Sequence, residues 1–114
     1  MTFEEFQDNI KFYYDGDHCP VLKVLKLLNG KWTTCVIFHL ERFEHIRFGE
    51  LKKNIPGITN AMLSSTLKEL EEKGIVIRTQ FNEIPPHVEY SLSESGKAML
   101  KIYYEMALWG HQYL

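Results

Sequence analysis

The hydrophobic period of the chain changes near residue 75, and this change limits the folds that the sequence can adopt. Before it, apolar residues recur at helical spacing, three or four positions apart. Along residues 75–81 and 88–92, a mainly apolar set of side chains instead occupies every second position and a different set lies between them. This alternation is typical of strands. The segment between them, 82–87, contains Pro85-Pro86. Together these residues predict a β-hairpin with a proline-rich tip, preceded and followed by helices.

Helical spacing and end signals divide the rest of the chain into helical segments. Thr2 and Glu5 form a capping-box pattern, Pro20 suits a first helical position, and Thr59 and Ser93 are good N-caps. Gly74 is suited to a left-handed helix end. The predicted helices span residues 3–13, 20–28, 31–41, 47–55, 60–73 and 94–113, with the first one broken at Asp15-Gly16-Asp17. The segment 21–28 is apolar on most sides, which predicts deep burial.

This order of elements predicts an α+β fold that is mostly α: a winged helix–turn–helix with a two-stranded β-hairpin wing. A length of 114 residues suits a single domain. We divide it into an N-terminal arm (1–17), a core (18–93) and a C-terminal dimerisation helix (94–114). The helix over 60–73 would enter the major groove of DNA, and the wing tip, 82–87, would reach the flanking backbone or minor groove. The predicted DNA-binding residues are Arg47, Lys52, Lys53, Thr59, Asn60, Ala61, Ser64, Ser65, Lys68, Arg78 and His87.

Charge is distributed unevenly, although the net charge of −2 argues against a protein that coats nucleic acid. Residues 42–78 hold seven cations and five acids, whereas residues 1–17 have a net charge of −4. This pattern fits a protein with one mildly basic face that lies toward the phosphates of DNA. Glu69, Glu71 and Glu72 are expected to lie farther from the groove. The alternative is that the polar face of 60–73 is simply solvated, and Arg78 has its own alternative partner in Glu89.

The last helix carries apolar residues on nearly all faces, although only one face of a terminal helix can cover its own core. This favours a second copy of the chain as partner. The aromatic stripe of the first helix needs a partner for the same reason. The predicted dimer interface consists of Phe3, Phe6, Ile10, Ile102, Tyr103, Met106, Trp109 and Tyr113.

Motifs for catalysis, metals or membranes are missing from the sequence. The two cysteines, Cys19 and Cys35, form no CxxC pair, and the five histidines lack ligand spacing. The glycines are isolated, and no serine lies in a nucleophile elbow. No apolar run is long enough for a transmembrane helix, and the acidic N-terminus is unlike a signal peptide. We therefore expect a cytoplasmic protein that is not an enzyme and needs no metal or cofactor.

Several short motifs stand in an order that resembles one known family. They are Cys19-Pro20, Gly30-Lys31-Trp32, Ile55-Pro56-Gly57-Ile58, Pro85-Pro86, Val88-Glu89-Tyr90-Ser91-Leu92 and Trp109-Gly110. In this order they resemble the HxlR family of bacterial winged-helix transcriptional regulators, which is related to the MarR group. The resemblance implies a homodimer, built through the N- and C-terminal helices, that binds a palindromic operator. The family often has other residues where this chain has Asn60, Ala61, Ser64 and Ser65, so the resemblance implies the binding mode but not the base preference.

Three further hypotheses accompany the main one. The resemblance suggests oxidant sensing at Cys19, because some members use the matching cysteine and a helix N-terminus favours the thiolate. His18 beside it could help, and packing at a dimer seam is the alternative role for Cys19. Tyr13, Tyr14, Trp32, Met106 and Trp109 could line an effector pocket, although such stripes are more often core, and no effector is assigned. A winged-helix module that binds proteins instead of DNA is the alternative function.

Overall fold

The computed structural model describes residues 1–14 and 19–114, with only the backbone described at Tyr14. Its helices are α1 (Phe3–Asp8), α2 (Pro20–Leu28), α3 (Thr33–Glu41), α4 (Phe48–Lys53), α5 (Asn60–Glu72) and α6 (Glu94–Tyr113). A 3₁₀ helix covers Ile10–Tyr14, and the strands are β1 (Ile46–Arg47), β2 (Val76–Phe81) and β3 (His87–Leu92). The mostly helical fold with a small antiparallel sheet confirms the predicted fold class.

The N-terminal segment begins as predicted but does not form one helix over 3–13. The Thr2 hydroxyl accepts from the Glu5 N–H at 3.1 Å, and the Glu5 carboxylate accepts from the Thr2 N–H at 3.4 Å. The helix then ends at Asn9, whose side-chain amide donates to the Glu5 carbonyl at 2.8 Å. Asparagine competes with helical hydrogen bonding in this way, and a 3₁₀ helix follows. The predicted break at 15–17, like His18, lies outside the described residues.

The core lies where α3, α4 and α5 meet the sheet. Val36, Ile37 and Leu40 from α3 are buried there, together with Leu51 from α4. The apolar stripe of α5 completes this cluster with Leu63, Leu67 and Leu70. Such side chains each stabilise a fold by about 2–5 kcal/mol relative to alanine. The stripe therefore fixes which side of α5 faces away from the protein.

The sheet has three strands in the order β1-β3-β2, where the sequence predicted two. All pairs are antiparallel, with Ile46 opposite Tyr90 and Arg47 opposite Glu89 on β1 and β3. A two-residue strand shows no alternation, so periodicity could not reveal it. Since side chains directly opposite each other share a face, Arg47 and Glu89 lie on the same face of the sheet.

The start of α6 is attached to the core by a cap and by close packing. The Ser93 hydroxyl accepts from the Gly96 N–H at 3.1 Å and donates to the Gly74 carbonyl at 2.6 Å. Gly96 is buried, and a Cβ at this position would collide with the Ile75 carbonyl oxygen. Glycine is therefore the residue that allows α6 to approach β2 this closely.

Tyr103 belongs to this attachment, and its prediction as a dimer-interface residue is corrected. Its side chain is only 7% exposed, and its hydroxyl lies 3.0 Å from the Thr34 hydroxyl. The Phe38 ring packs edge-on against the Tyr103 ring, with 4.7 Å between centroids. Burial raises the pKa of the Tyr103 phenol, and the hydrogen bond with Thr34 opposes this rise. Tyr103 therefore joins α6 to α3 within one chain.

The predicted deep burial of α2 is wrong. The helix begins after Cys19 as predicted, but none of its residues is buried. Val21, Leu22 and Leu25 are about half exposed. The apolar composition of α2 therefore leaves an outward apolar face.

Candidate nucleic-acid interface

The N-terminal half of α5 presents a continuous exposed polar face. Thr59 caps the helix, because its hydroxyl accepts from the Met62 N–H at 3.1 Å. The buried stripe of α5 holds the opposite side against the core. Five of the predicted DNA-binding residues are exposed together as a result: Asn60, Ala61, Ser64, Ser65 and Lys68. Amide, hydroxyl and methyl groups of this kind can contact base edges and phosphates.

A cleft of about 300 Å³ separates α5 from the sheet, and we call it the α5–sheet cleft. Ser64, Lys68 and Glu71 line it from α5, and Arg78 and Tyr90 line it from β2 and β3. Within the described residues, neither Lys68 nor Arg78 has a carboxylate oxygen within ion-pair distance. Two cations, one carboxylate and two hydroxyl-bearing side chains thus line one polar space, whose net positive charge suits an anion such as a phosphate.

The α5–sheet cleft revises two sequence expectations and adds one residue that the sequence did not indicate. Arg78 lies opposite Tyr90, whereas Glu89 lies opposite Thr79, so Arg78 and Glu89 point to different faces and the predicted alternative pair does not form. Glu71 was expected to lie away from the groove but lines the cleft. Tyr90 was missed, because alternation identifies an inward residue without showing that its hydroxyl reaches a cleft.

The remaining predicted cations lie around α4. Arg47 is exposed at the N-cap of α4, without a capping hydrogen bond from its side chain. Lys53 is exposed and its ammonium lies 3.4 Å from the Glu50 carboxylate. Lys52 is half-buried. The structure thus places these three cations at the two ends of the helix that precedes α5.

His87 at the wing has an enclosed side chain. Its Nε2 lies 2.9 Å from Glu89 Oε2, and its Nδ1 lies 3.7 Å from Glu83 Oε2. The imidazole stacks on Phe81, with 4.7 Å between ring centroids and an interplanar angle of 12°. Only 13% of the His87 side chain is exposed. This placement disfavours the predicted direct contact of His87 with DNA.

Cys19 is fully buried at the start of α2. Its sulfur accepts from the Leu22 N–H at 3.4 Å, and its S–H donates to the Tyr13 carbonyl. Burial with both hydrogen-bonding roles filled favours the packing role for this thiol. Cys35 is half-buried and is also a free thiol.

The C-terminal part of α6 and the N-terminal arm expose their apolar side chains. Most of the predicted interface residues belong to this set: Phe3, Ile10, Ile102, Met106, Trp109 and Tyr113. Phe6 is half-buried and packs against Tyr13 at 4.8 Å between centroids. The hollow beside Met106 and Trp109 is lined by α6 alone and includes neither Tyr13 nor Trp32.

Across residues 1–14 and 19–114, no three His, Cys, Asp or Glu side chains are grouped to hold a metal ion. None of the helices there is long and apolar enough to cross a membrane.

Comparison with known proteins agrees with this geometry. The HTH-type transcriptional regulator BH0655 of Halalkalibacterium halodurans is 40% identical over 110 residues, which cover 96% of this chain and 95% of that protein. A solved structure from Porphyromonas gingivalis W83, assigned to the MarR family of transcriptional regulators, has a TM-score of 0.76 and 43% identity, and covers 88% of this chain and 97% of its own. The redox regulator HypR, in its oxidised form, has a TM-score of 0.72 and 38% identity, with coverage of 84% and 98%.

The first two of these relatives are transcriptional regulators, a class of proteins that are not enzymes, and the third is a redox regulator. The HxlR-like helix-turn-helix family model matches residues 27–114, which include the described helix–turn–helix, the wing and α6. The chain therefore belongs to the HxlR-like helix-turn-helix family, as the sequence motifs indicated.

Proposed function

We propose that the chain is a DNA-binding transcriptional regulator that acts as a homodimer on a palindromic operator. The observation that carries this proposal is the exposed polar face of α5 beside the α5–sheet cleft. In this arrangement α5 enters the major groove, where Asn60 can pair with an adenine edge and Ala61 can contact a thymine methyl. The wing tip lies toward the adjacent minor groove. This function belongs in the cytoplasm, where the DNA is.

The α5–sheet cleft supports this docking for a geometric reason. A sugar–phosphate backbone separates each major groove from the neighbouring minor groove. If α5 occupies one groove and the wing the other, that backbone must cross the cleft between them. Lys68 and Arg78 then neutralise its phosphates, and Ser64 and Tyr90 donate hydrogen bonds to the phosphate oxygens.

Dimerisation is supported by the exposed apolar residues outside this interface. Trp109 and Tyr113 are 57% and 62% exposed and pack against each other at 5.4 Å between centroids. Aromatic side chains of this kind are typical anchors of protein interfaces. A symmetric dimer presents the same patch twice, so α6 and the N-terminal arm of one copy can cover those of the other.

Fluorescence anisotropy with the intergenic duplex upstream of its own gene tests DNA binding, with a shuffled duplex as competitor. We expect preference for the native duplex and an affinity that falls steeply with salt. The double substitution Lys52→Ala with Lys53→Ala should weaken binding to both duplexes, because phosphate contacts are not sequence-specific. Lys97→Ala is the matched control, since Lys97 is exposed at the start of α6.

The alternative function, a winged-helix module that binds only proteins, predicts no selectivity between the two duplexes. Binding that does not respond to salt, or an affinity unchanged in the Lys52 and Lys53 double variant, would contradict the docking proposed here.

Oxidant sensing at Cys19 stays a prediction. The likeness to the redox regulator HypR supports it, whereas the burial of the thiol opposes it. An oxidant-dependent change in DNA affinity that disappears in Cys19→Ser would support a sensing role. The small-molecule effector remains unassigned.

A further inference from the structure

The wing tip carries an unusual charge distribution for a segment that approaches DNA. The sequence has no lysine or arginine between Arg78 and Lys97. The segment 82–89 contains two carboxylates, Glu83 and Glu89, and one ionisable base, His87. With a neutral imidazole the tip and the adjoining Glu89 together have two negative charges, which repel the phosphate backbone. The charge of the tip therefore depends on a single proton.

The geometry around His87 suits the protonated form. Both ring nitrogens face carboxylate oxygens, Glu89 at 2.9 Å and Glu83 at 3.7 Å. A neutral imidazole has one N–H and can donate to only one of them, whereas an imidazolium donates from both nitrogens. The Phe81 ring covers one face of the imidazole. The carboxylates thus form a two-sided clamp, which we call the His87 clamp.

Side chains on both neighbouring strands lie opposite the His87 clamp. On β2, Phe81 is opposite His87 and the uncharged Thr79 is opposite Glu89. On β1, Arg47 is opposite Glu89, but no Arg47–Glu89 ion pair forms within the described residues. The register brings Arg47 opposite the clamp, and Glu89 also lines a cleft of about 350 Å³ together with His45 and Glu50. Histidine is the side-chain type that ordinarily changes charge between about pH 5 and 8, and His87 is the histidine that contacts both carboxylates of the clamp.

We propose that His87 makes DNA binding proton-linked, so that a lower pH strengthens binding through the wing. This rests on the proposed DNA-binding function. Protonation of His87 removes one unit of negative charge from the tip and closes both sides of the clamp, which holds the wing in one conformation. Bound DNA in turn favours the proton, because its phosphates attract a cation.

The size of the effect is limited by linkage. Each linked proton can change the affinity by at most about tenfold per pH unit. Since histidine titrates between about pH 5 and 8, we expect binding to tighten about threefold or more between pH 8 and pH 6.

The test is an anisotropy titration of the full chain with the upstream intergenic duplex over this pH range. We expect the wild-type protein to show the dependence and His87→Gln to lose most of it. His45→Gln is the matched control, because His45 lines the cleft beside Glu89 but lies outside the wing. Glu83→Gln, on an exposed side chain, should tighten binding at pH 8 and flatten the dependence even if His87→Gln folds poorly.

The experiment distinguishes failure of the His87 role from failure of the proposed function. If His87→Gln and Glu83→Gln bind DNA with the same pH dependence as the wild type, the role of His87 is overturned while the proposed function stands. If the wild type binds no duplex selectively at any pH, the proposed function fails, and the proton linkage fails with it.

Discussion

Helices α5 and α6 are both well capped and both pack on the same core, but they expose opposite kinds of surface. α5 buries a leucine stripe along its length and exposes amide, hydroxyl and cationic groups. α6 buries Gly96, Met99 and Tyr103 in its first half, and its second half exposes aromatic and aliphatic side chains. A polar outer face suits DNA or water, whereas an apolar one suits another protein surface. The difference supports the proposed roles, which are base recognition for α5 and assembly for α6.

The largest expected effect comes from removing the exposed aromatic pair of α6. Trp109→Ala with Tyr113→Ala should convert the dimer to a monomer, because two such anchors contribute on the order of 2 kcal/mol each. Operator affinity should fall by about a hundredfold or more, since half of the contacts are lost with the second copy. Sedimentation velocity and anisotropy measure the two effects.

Lys101→Ala is the control for this pair, as an exposed polar position on the same helix. A double variant at Trp109 and Tyr113 that remains dimeric would contradict the role assigned to α6.

The next effect concerns the α5–sheet cleft. Lys68→Ala with Arg78→Ala should weaken binding by about tenfold or more to every sequence, and should lower the slope of affinity against salt by about two per subunit. Glu71→Gln should act in the opposite direction, because it removes the acid from the same cleft. If neither the Lys68 and Arg78 double variant nor Glu71→Gln changes the salt slope, the DNA backbone does not cross this cleft.

The two helix caps should differ in their effect on stability. Ser93 accepts from Gly96 and donates to the carbonyl of Gly74, whereas Thr59 caps α5 with one hydrogen bond at an exposed site. Ser93→Ala should lower the free energy of unfolding by about 1–2 kcal/mol, and Thr59→Ala by about 1 kcal/mol or less. Urea denaturation compares the two variants. An equal or larger loss in Thr59→Ala would show that the Ser93 cap contributes no more to stability than the Thr59 cap.

The smallest expected effect is a change in folding stability at alkaline pH, and it comes from Tyr103. Burial raises the pKa of its phenol, so the folded state holds the proton more tightly than the unfolded chain. The stabilisation that the protonated phenol contributes is complete below about pH 10 and is lost as the pH rises above this value. Tyr103→Phe should remove this part of the alkaline decline and cost about 1 kcal/mol at neutral pH through the lost bond with Thr34. Thermal melts across this range measure both.

Sequence periodicity predicted most helices and the hairpin, because long amphipathic segments carry a clear pattern. α6 has the predicted bounds, 94–113, and α5 differs from its prediction by one residue at its end. The pattern does not show which copy of the chain covers an apolar residue. For this reason α2 was wrongly expected to be buried, and Tyr103 was wrongly assigned to the dimer interface.

The candidate site was predicted on α5 but not at the wing. The exposed face of α5 follows from helical spacing once the leucine stripe is known. The enclosure of His87 by Glu83 and Glu89, and the place of Tyr90 in the α5–sheet cleft, depend on strand register and side-chain conformation. Neither can be obtained from alternation alone, because a shift of one residue reverses every side chain.

Hydroxyl-radical footprinting on the upstream intergenic duplex tests the central claim most directly. If α6 joins two copies and each α5 occupies a major groove, the protein should protect two symmetric patches whose centres lie about 10–10.5 base pairs apart. A single patch, or uniform protection without a centre of symmetry, would contradict the account.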